Sequence, residues 1–273
     1  MSDLINIADT LNLDIEAELA AIEAAAQEQA ETEAAIEAAK PKKEKKAKAP
    51  AVVTEAVEDE AVVIPHVAGV LKDLVSNLAP EALVVKQAEV IAAFESRLAF
   101  EEAQPSVSEK MRDNLKTASA RLAAPALASI LSVLDIDMRF VNREVSRGSR
   151  FNVYALQKVV DLVAALSSGI MGNAVNRAVV TSMFTCKSES VPFNGDLALA
   201  AVSDKIRIEP RFAKHLTRHT VSQNTASTQK SSTMNALEVM GIATTNHLKG
   251  AAEIFTLTDT PQTRRLEEVL MRT

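Results

Sequence analysis

Apolar residues recur at a helical spacing along most of the chain that follows residue 64. Segments of this kind cover residues 65–79, 80–103 and 107–134, with Pro80 at the start of the second and Pro125 interrupting the third. A further stripe of apolar residues precedes Gly169 and predicts a helix that ends there, because glycine favours the conformation that closes a helix. The stripe consists of Val153, Leu156, Val160, Val163 and Leu166.

The pattern becomes more varied toward the C-terminus. "PFNGDLALAAVSDKI" predicts a turn and a short helix capped by Asn194 or Asp196, and "RFAKHLTRH" predicts another short helix. After a polar break, a helix is expected over residues 227–240, with Met234 and Leu237 on its buried side and Gly241 as its stop. "IATT" and "AEIFTLT" then alternate apolar and polar residues around "NHLKG", which predicts a β-hairpin.

The first 63 residues have a different character. An Ala- and Glu-rich stretch is followed by a Lys run and an acidic run around Pro41 and Pro50, a composition typical of a flexible linker. Within residues 2–15, apolar residues recur at helical spacing. This segment is either a docking helix for a protein partner or a terminus without a partner. The predicted organisation is an arm at 1–63, a helical region at 64–135 that could mediate self-association, and a second region at 136–273.

Composition supports a mainly α fold. Aromatic residues make up only 3% of the chain and Trp is absent, which disfavours a β-sandwich built on aromatic pairs. Cys186 is the single cysteine, which excludes an intramolecular disulfide and fits a reducing compartment. Neither a signal peptide nor eighteen consecutive apolar residues are found, so we expect a cytoplasmic protein that does not span a membrane.

Charge is distributed unevenly. The formal net charge is −6, but residues 1–63 hold fifteen Asp and Glu against six Lys. Residues 139–249 hold fourteen Lys and Arg against seven Asp and Glu. This positive half can attract a polyanion although the whole chain is acidic.

The segments "STQKSSTMNALEVMGIAT" and "AEIFTLTD" resemble the winged helix-turn-helix superfamily over roughly the last sixty residues. The resemblance implies a mainly α chain: a helical body with a C-terminal winged helix-turn-helix and a small β-hairpin, preceded by the N-terminal arm. It also implies that helix 227–240 reads the major groove of double-stranded DNA.

Side chains at this element suit such a role. Gln229 and Asn235 can pair with adenine edges, Lys230 supplies charge, and three hydroxyl side chains can bind phosphates. The hydroxyl residues are Thr228, Ser231 and Ser232. His247 and Lys249 would stand at the tip of the hairpin, while Arg211, Lys214 and Arg218 would flank the DNA backbone. The alternative is that the Ser and Thr residues only solvate an exposed helix.

A second arginine-rich stretch, "RFVNREVSRGSR", contains Arg143, Arg147 and Arg150. These side chains bind phosphates, or they cover a helix junction or pair with Glu144 and nearby acids. Nothing in the sequence indicates an enzyme, a metal site or a cofactor: His215 and His219 stand four apart without a third ligand, and no Gly-rich phosphate loop occurs.

The sequence therefore predicts a non-enzymatic DNA-binding protein, sequence-tolerant or sequence-specific, of the regulator or replication and partition type. Because a single winged helix makes a small interface, we expect a homo-oligomer. The alternative is a structural or assembly protein whose winged-helix-like end and N-terminal docking segment both contact proteins.

Overall fold

The computed structural model describes residues 69–105, 107–146, 149–246 and 253–271. Within these ranges the chain is mainly helical with two small antiparallel sheets, which confirms the predicted class. The arm 1–63 with its docking segment 2–15, and the site candidates Arg147, His247 and Lys249, lie outside the described residues.

The described chain begins with a 3-10 turn at Gly69–Leu71, and a second 3-10 turn lies at Met138–Asn142. The α-helices in the described ranges are α1 (Lys72–Ser76), α2 (Pro80–Glu102), α3 (Glu109–Ala123), α4 (Pro125–Val133), α5 (Val153–Ser168), α6 (Ala174–Ser188), α7 (Gly195–Val202), α8 (Pro210–Ala213), α9 (Gln223–Val239) and α10 (Pro261–Met271).

The strands are β1 (Glu144–Ser146), β2 (Ser149–Arg150), β3 (Phe193–Asn194), β4 (Ala243–Asn246) and β5 (Ile254–Leu257). β1 pairs with β2, and the other three form a sheet in the order β3-β5-β4. The predicted hairpin is therefore present as β4 and β5. Strand β3 pairs with β5 on the side away from β4 and ties the hairpin to the start of α7.

Several helix ends follow from local chemistry that the sequence displays. Oδ1 of Asn194 accepts a hydrogen bond from the backbone N–H of Leu197 and caps α7 as predicted. Gly169 has a φ of +74° directly after α5, and Gly241 has a φ of +61° beyond the end of α9. Glycine is the residue that adopts this conformation most readily, which accounts for both stops.

Helix α9 begins four residues earlier than residue 227, where the sequence pattern placed it. Backbone N–H groups of Thr225 and Ala226 donate to the carbonyl of Ser222, and both residues are buried. The hydroxyl of Thr225 also donates to that carbonyl. Packing and these hydrogen bonds therefore stabilise a first turn in a stretch whose polar residues read as a break.

The helix predicted over "RFAKHLTRH" is limited to α8, because the residues after it bond to other elements. Thr217 N–H donates to Oγ of Ser182 at 2.9 Å, and His219 N–H donates to the carbonyl of Ala201 at 2.9 Å. A backbone whose hydrogen bonds are satisfied in this way has no need of further helical turns.

Helix α5 lies at the centre of the fold, with ten of its sixteen residues buried. It packs against α3, α4, α9 and α10, while α9 also contacts α6, α7 and β4. One hydrophobic cluster extends from Leu71 to Leu266 through all of these elements. The boundary that the sequence suggested at residue 135 therefore does not coincide with a break in this core. At the edge of the fold, α10 packs against the 3-10 turn at Gly69–Leu71.

A buried polar network joins α5, α6 and α9. Nζ of Lys158 donates to Oδ1 of Asn173 at 3.1 Å, and Nδ2 of Asn173 donates to Oδ2 of Asp161 at 3.0 Å. One turn into α6, Oδ1 of Asn176 accepts from the hydroxyl of Thr233 on α9 at 3.0 Å. Because buried polar groups are costly unless they are paired, this network favours one position of α9 on the core.

The conformation of Gly241 allows a direct test. Alanine at this position should lower the free energy of unfolding by about 1–2 kcal/mol, because an L-residue is strained at positive φ. Its Cβ would also lie 3.2 Å from Nε2 of Gln262, which donates to the carbonyl of Met240. Urea unfolding measures the loss, with Gly172→Ala as the control, because a Cβ there would have no described atom beyond its chain neighbours within 4 Å. Equal stability of the two variants would contradict the prediction.

Candidate nucleic-acid interface

Helix α9 has one face turned to solvent, which we call the outer face. Its residues are spaced three or four apart and are exposed or half-buried: Asn224, Ser227, Thr228, Ser231, Asn235 and Glu238. Residues between them, such as Ala226, Met234 and Leu237, are buried against the core. The outer face is thus polar and uncharged until Glu238, near the C-terminal end of the helix.

Three of the predicted contact residues, Thr228, Ser231 and Asn235, lie together on the outer face. Asn224 and Ser227 belong to the same face but were not among the sequence candidates. They were not predicted, because the helix was expected to begin at residue 227. Asn224 lies seven residues before Ser231, a spacing that places both on one face once the helix is known to begin earlier.

Gln229 and Ser232 lie on the packed side of α9. Ser232 is 2% exposed, and neither its Oγ nor Oε1 of Gln229 has a hydrogen-bond partner among the described residues. Ser232 therefore cannot reach a DNA groove while the helix keeps its place on the core, and the carbonyl oxygen of the half-buried Gln229 side chain is turned away from solvent. The spacing of Met234 and Leu237 indicated the buried side of α9. That side is wider than these two residues suggest, because both α5 and α6 pack on the helix.

Lys230 does not project its charge freely. Its Nζ lies 3.1 Å from Oε2 of Glu253 and 5.5 Å from the centre of the Phe255 ring. Its side chain is 19% exposed. The ion pair and the cation–π contact join α9 to the hairpin, so Lys230 fixes the position of β5 beside the helix.

Residues 203–222, which connect α7 to α9, form a surface segment that we call the basic loop. Inward-facing residues anchor it, since Ile208, Phe212 and Leu216 pack on the hydrophobic core. Arg211 is paired with Glu209 at 2.7 Å and stacks on Phe212. The remaining cations of the loop are exposed, and no described residue forms an ion pair with them: Lys205, Arg207, Lys214 and Arg218.

The arginines around β1 and β2 are partly engaged within the fold. Arg150 stacks over the ring of Phe100 at 4.6 Å, and its Nη1 donates to the carbonyl of Asn142 at 2.9 Å. Arg143 lies 5.3 Å from the centre of the Phe151 ring and keeps an exposed guanidinium. These contacts match the alternative in which the arginines cover a junction, although Arg143 can still reach a ligand.

Arg143 also lines an open groove of about 620 Å³ between the second 3-10 turn and the C-terminal end of α9. Arginine and acidic side chains both face this groove, among them Asp135, Asp137, Arg139 and Glu238. Because Arg139 pairs with Asp137 and other acids remain, the groove is not a strongly positive surface.

The structure also locates the cysteine and the two histidines that the sequence offered as a candidate nucleophile and candidate metal ligands. Cys186 is buried, and desolvation raises the pKa of its thiol, so it is a poor nucleophile. His215 is buried while His219 is exposed, so the two imidazoles do not share a surface. Within the described ranges, no group of three or more His, Cys, Asp or Glu residues is arranged to hold a metal ion.

None of the helices in the described part of the chain combines the length and the apolar character that crossing a membrane requires. Comparison with protein-family models, with curated proteins and with solved structures gives no match to this chain. Its function therefore has to be inferred from its own residues.

Proposed function

We propose that this protein is a non-enzymatic, double-stranded DNA-binding protein in which the outer face of α9 enters the major groove. The observation that carries the proposal is the placement of an uncharged polar helix face next to a loop with four exposed cations that pair with no acid among the described residues. The helix supplies groups that read base edges, and the loop supplies charge for the phosphates.

The order of elements supports a winged helix-turn-helix interpretation. Helix α9 and the β4–β5 hairpin follow one another as the sequence resemblance implies, and the short helix α8 precedes them where the first helix of the helix-turn-helix was predicted. Strand β3 pairs with β5, and Lys230 joins α9 to Glu253 at the start of that strand, so helix and hairpin form one packed unit. A DNA-binding helix needs such support, because loosely held side chains recognise bases poorly.

The chemistry of the outer face fits base recognition. Asparagine can donate to and accept from adenine in the major groove, and serine or threonine can bond to either bases or phosphates. Asn224 and Asn235 are eleven residues apart on one face, which corresponds to about 16 Å along a helix with a rise of 1.5 Å per residue. This length is comparable with the width of the groove, about 12 Å.

The distribution of charge along α9 indicates which end of the helix enters the major groove most deeply. Glu238 is exposed near the C-terminal end and would repel phosphates, whereas the first turn of α9 contains no acidic residue. The partial positive charge of a helix N-terminus also favours phosphate there. The N-terminal half of α9, next to the basic loop, is therefore the part that we place in the groove.

One observation favours a protein contact in addition. Val84, Val85 and Ile91 on α2 are 51%, 67% and 43% exposed, and they form an apolar stripe on one side of that helix. Such a stripe is more typical of an interface than of a solvated face. The second candidate function, an assembly protein, would use this surface, and the predicted self-association could use it as well. Sedimentation of the full chain and of Val85→Glu would measure that association.

The DNA proposal is tested by fluorescence anisotropy of the full chain with mixed-sequence and selected duplexes across a salt series. The double substitution Asn224→Ala with Ser231→Ala should weaken binding to a selected site by about 10–100-fold, the range expected for one or two lost base contacts. The matched control is Ser96→Ala with Thr117→Ala, which removes exposed hydroxyls from α2 and α3. An equal effect of both pairs, or no binding by the folded wild type at low salt, would reject the proposal.

A further inference from the structure

The basic loop has more chemistry than a connection between two helices requires. Residues 203–222 contain five Lys and Arg against two Asp and Glu. We infer that the basic loop is a second DNA-contacting surface, which binds phosphates beside the groove entered by α9 and supplies most of the salt dependence of binding. This inference rests on the proposed function and deepens it, because it assigns the salt dependence of binding to named residues of the loop.

The first support is that the cations are available. Glu209 is the loop acid that forms an ion pair, and its partner is Arg211. Lys205, Arg207 and Lys214 are exposed, as is Arg218, and among the described residues none of the four has an acidic partner. An exposed cation without a partner can neutralise a phosphate without first breaking an ion pair.

The second support is that the loop is anchored. Burial alternates along residues 205–208 as it does in a strand. Ile206 and Ile208 are half-buried, whereas Lys205 and Arg207 are exposed, so the two cations point away from the core. Oγ of Ser182 donates to the carbonyl of Thr217 at 3.1 Å and accepts from its N–H. Anchoring reduces the entropy that is lost when the charged side chains bind a ligand.

The third support is the position of the loop relative to α9. Backbone N–H of Val221 donates to the carbonyl of Val202 at 3.0 Å, so the two ends of the loop lie side by side. Lys205 is three residues after Val202, and Arg218 is three residues before Val221. The loop then continues directly into the first turn of α9, which places Lys205 and Arg218 near the N-terminal end of that helix.

These features separate two roles in a way that can be measured. The outer face of α9 has no Lys or Arg, so its residues can change base preference but release few counterions. Each Lys or Arg that neutralises a phosphate contributes about −0.9 to the slope of log K against log salt concentration. Four such residues would therefore contribute a slope of about −3 to −4.

The test uses the full chain with Lys205, Arg207, Lys214 and Arg218 all changed to Gln. We expect the magnitude of the salt slope on duplex DNA to fall by about 3–4, with the preference among base sequences unchanged. For a charge-matched comparison, Lys214→Gln with Arg218→Gln should reduce the slope by about 2. The control pair Lys72→Gln with Lys116→Gln, exposed on α1 and α3, should leave it unchanged. A slope that stays at the wild-type value in the fourfold variant would overturn the inference.

Failure of the proposed function gives a different result. If the folded wild type does not bind duplex DNA at low salt, retention on immobilised heparin still tests the loop as a polyanion-binding surface. Earlier elution of the Lys214→Gln, Arg218→Gln pair than of the Lys72→Gln, Lys116→Gln pair would support the loop while the DNA proposal fails. Equal elution of the two pairs would overturn the loop inference itself.

Discussion

Replacing Arg97 by alanine should lower the free energy of unfolding by about 3–5 kcal/mol, because it leaves a carboxylate buried without its partner. Arg97 is 2% exposed on α2, and its Nε lies 2.6 Å from Oε1 of Glu101. Its Nη1 donates to the carbonyl of Val141 at 2.5 Å, which joins α2 to the second 3-10 turn. Burial lowers the pKa of Arg97, and the hydrogen bond from its side chain to Glu101 opposes that shift. Urea unfolding at pH 7 measures the loss.

Two controls distinguish the cost of an unpaired buried charge from the cost of lost side-chain volume. Arg97→Met with Glu101→Leu removes both charges and should recover most of the stability, because an apolar pair needs no desolvated ions. Arg264→Ala breaks an ion pair with Asp259 whose side chains are 59% and 77% exposed, so its cost should be much smaller than that of Arg97→Ala. A loss at Arg97 no larger than the loss at Arg264 would show that the buried pair is not important for stability.

Replacing Lys158 by methionine should have the opposite sign and raise the stability at pH 7 by about 2 kcal/mol. Desolvation lowers the pKa of Lys158 from 10.5 to about 8, and Asp161 opposes the shift only in part. Below pH 8 both the folded and the unfolded chain carry this proton, so the full cost of burying the charge, about 3 kcal/mol for such a shift, is present at pH 7. Methionine removes that cost but also loses the hydrogen bond to Asn173, which contributes about 1 kcal/mol.

The pH dependence provides a second readout. Between pH 8 and 10.5 the unfolded chain keeps the Lys158 proton while the folded chain has lost it, so the stability of the wild type rises with pH in this window. Lys158→Met lacks the titrating group, and its advantage over the wild type should therefore shrink as the pH approaches 10.5. The raised pKa of Cys186 acts in the opposite direction but is common to both chains. Lys116→Met, at an exposed site, should change neither stability nor its pH dependence. A Lys158→Met chain that is less stable than the wild type at pH 7 would refute the prediction.

Helix ends were predictable wherever the determining residue acts locally. Gly169 closes α5, Gly241 follows the end of α9, and Asn194 caps α7, and each works through the backbone within a few residues of itself. Pro80 and Pro125 begin α2 and α4 for the same reason, since proline suits the first turn of a helix. The β4–β5 hairpin also follows from local alternation.

The candidate site was less predictable because contacts between distant residues determine it. Thr233 is buried because its hydroxyl reaches Asn176, which is 57 positions away, and nothing near Thr233 in the sequence indicates this. The same packing turns Ser232 inward and leaves Ser231 outside. Lys230 was expected to supply positive charge for DNA binding, but it forms an ion pair with Glu253, which directly precedes β5 and is 23 positions away in the sequence. Composition could identify the residue types of the candidate interface, whereas the packed core determines which of them face solvent.

The outer face of α9 makes almost no contribution to the core, whereas the opposite face of the same helix is almost entirely core. Selection acting on the outer residues is therefore largely free of the need to preserve the fold. A library randomised at Asn224, Ser227, Thr228, Ser231 and Asn235 should keep most of its members folded, because none of these side chains is buried. New ligand preferences can evolve on this surface, or be engineered there, without remodelling the scaffold beneath it.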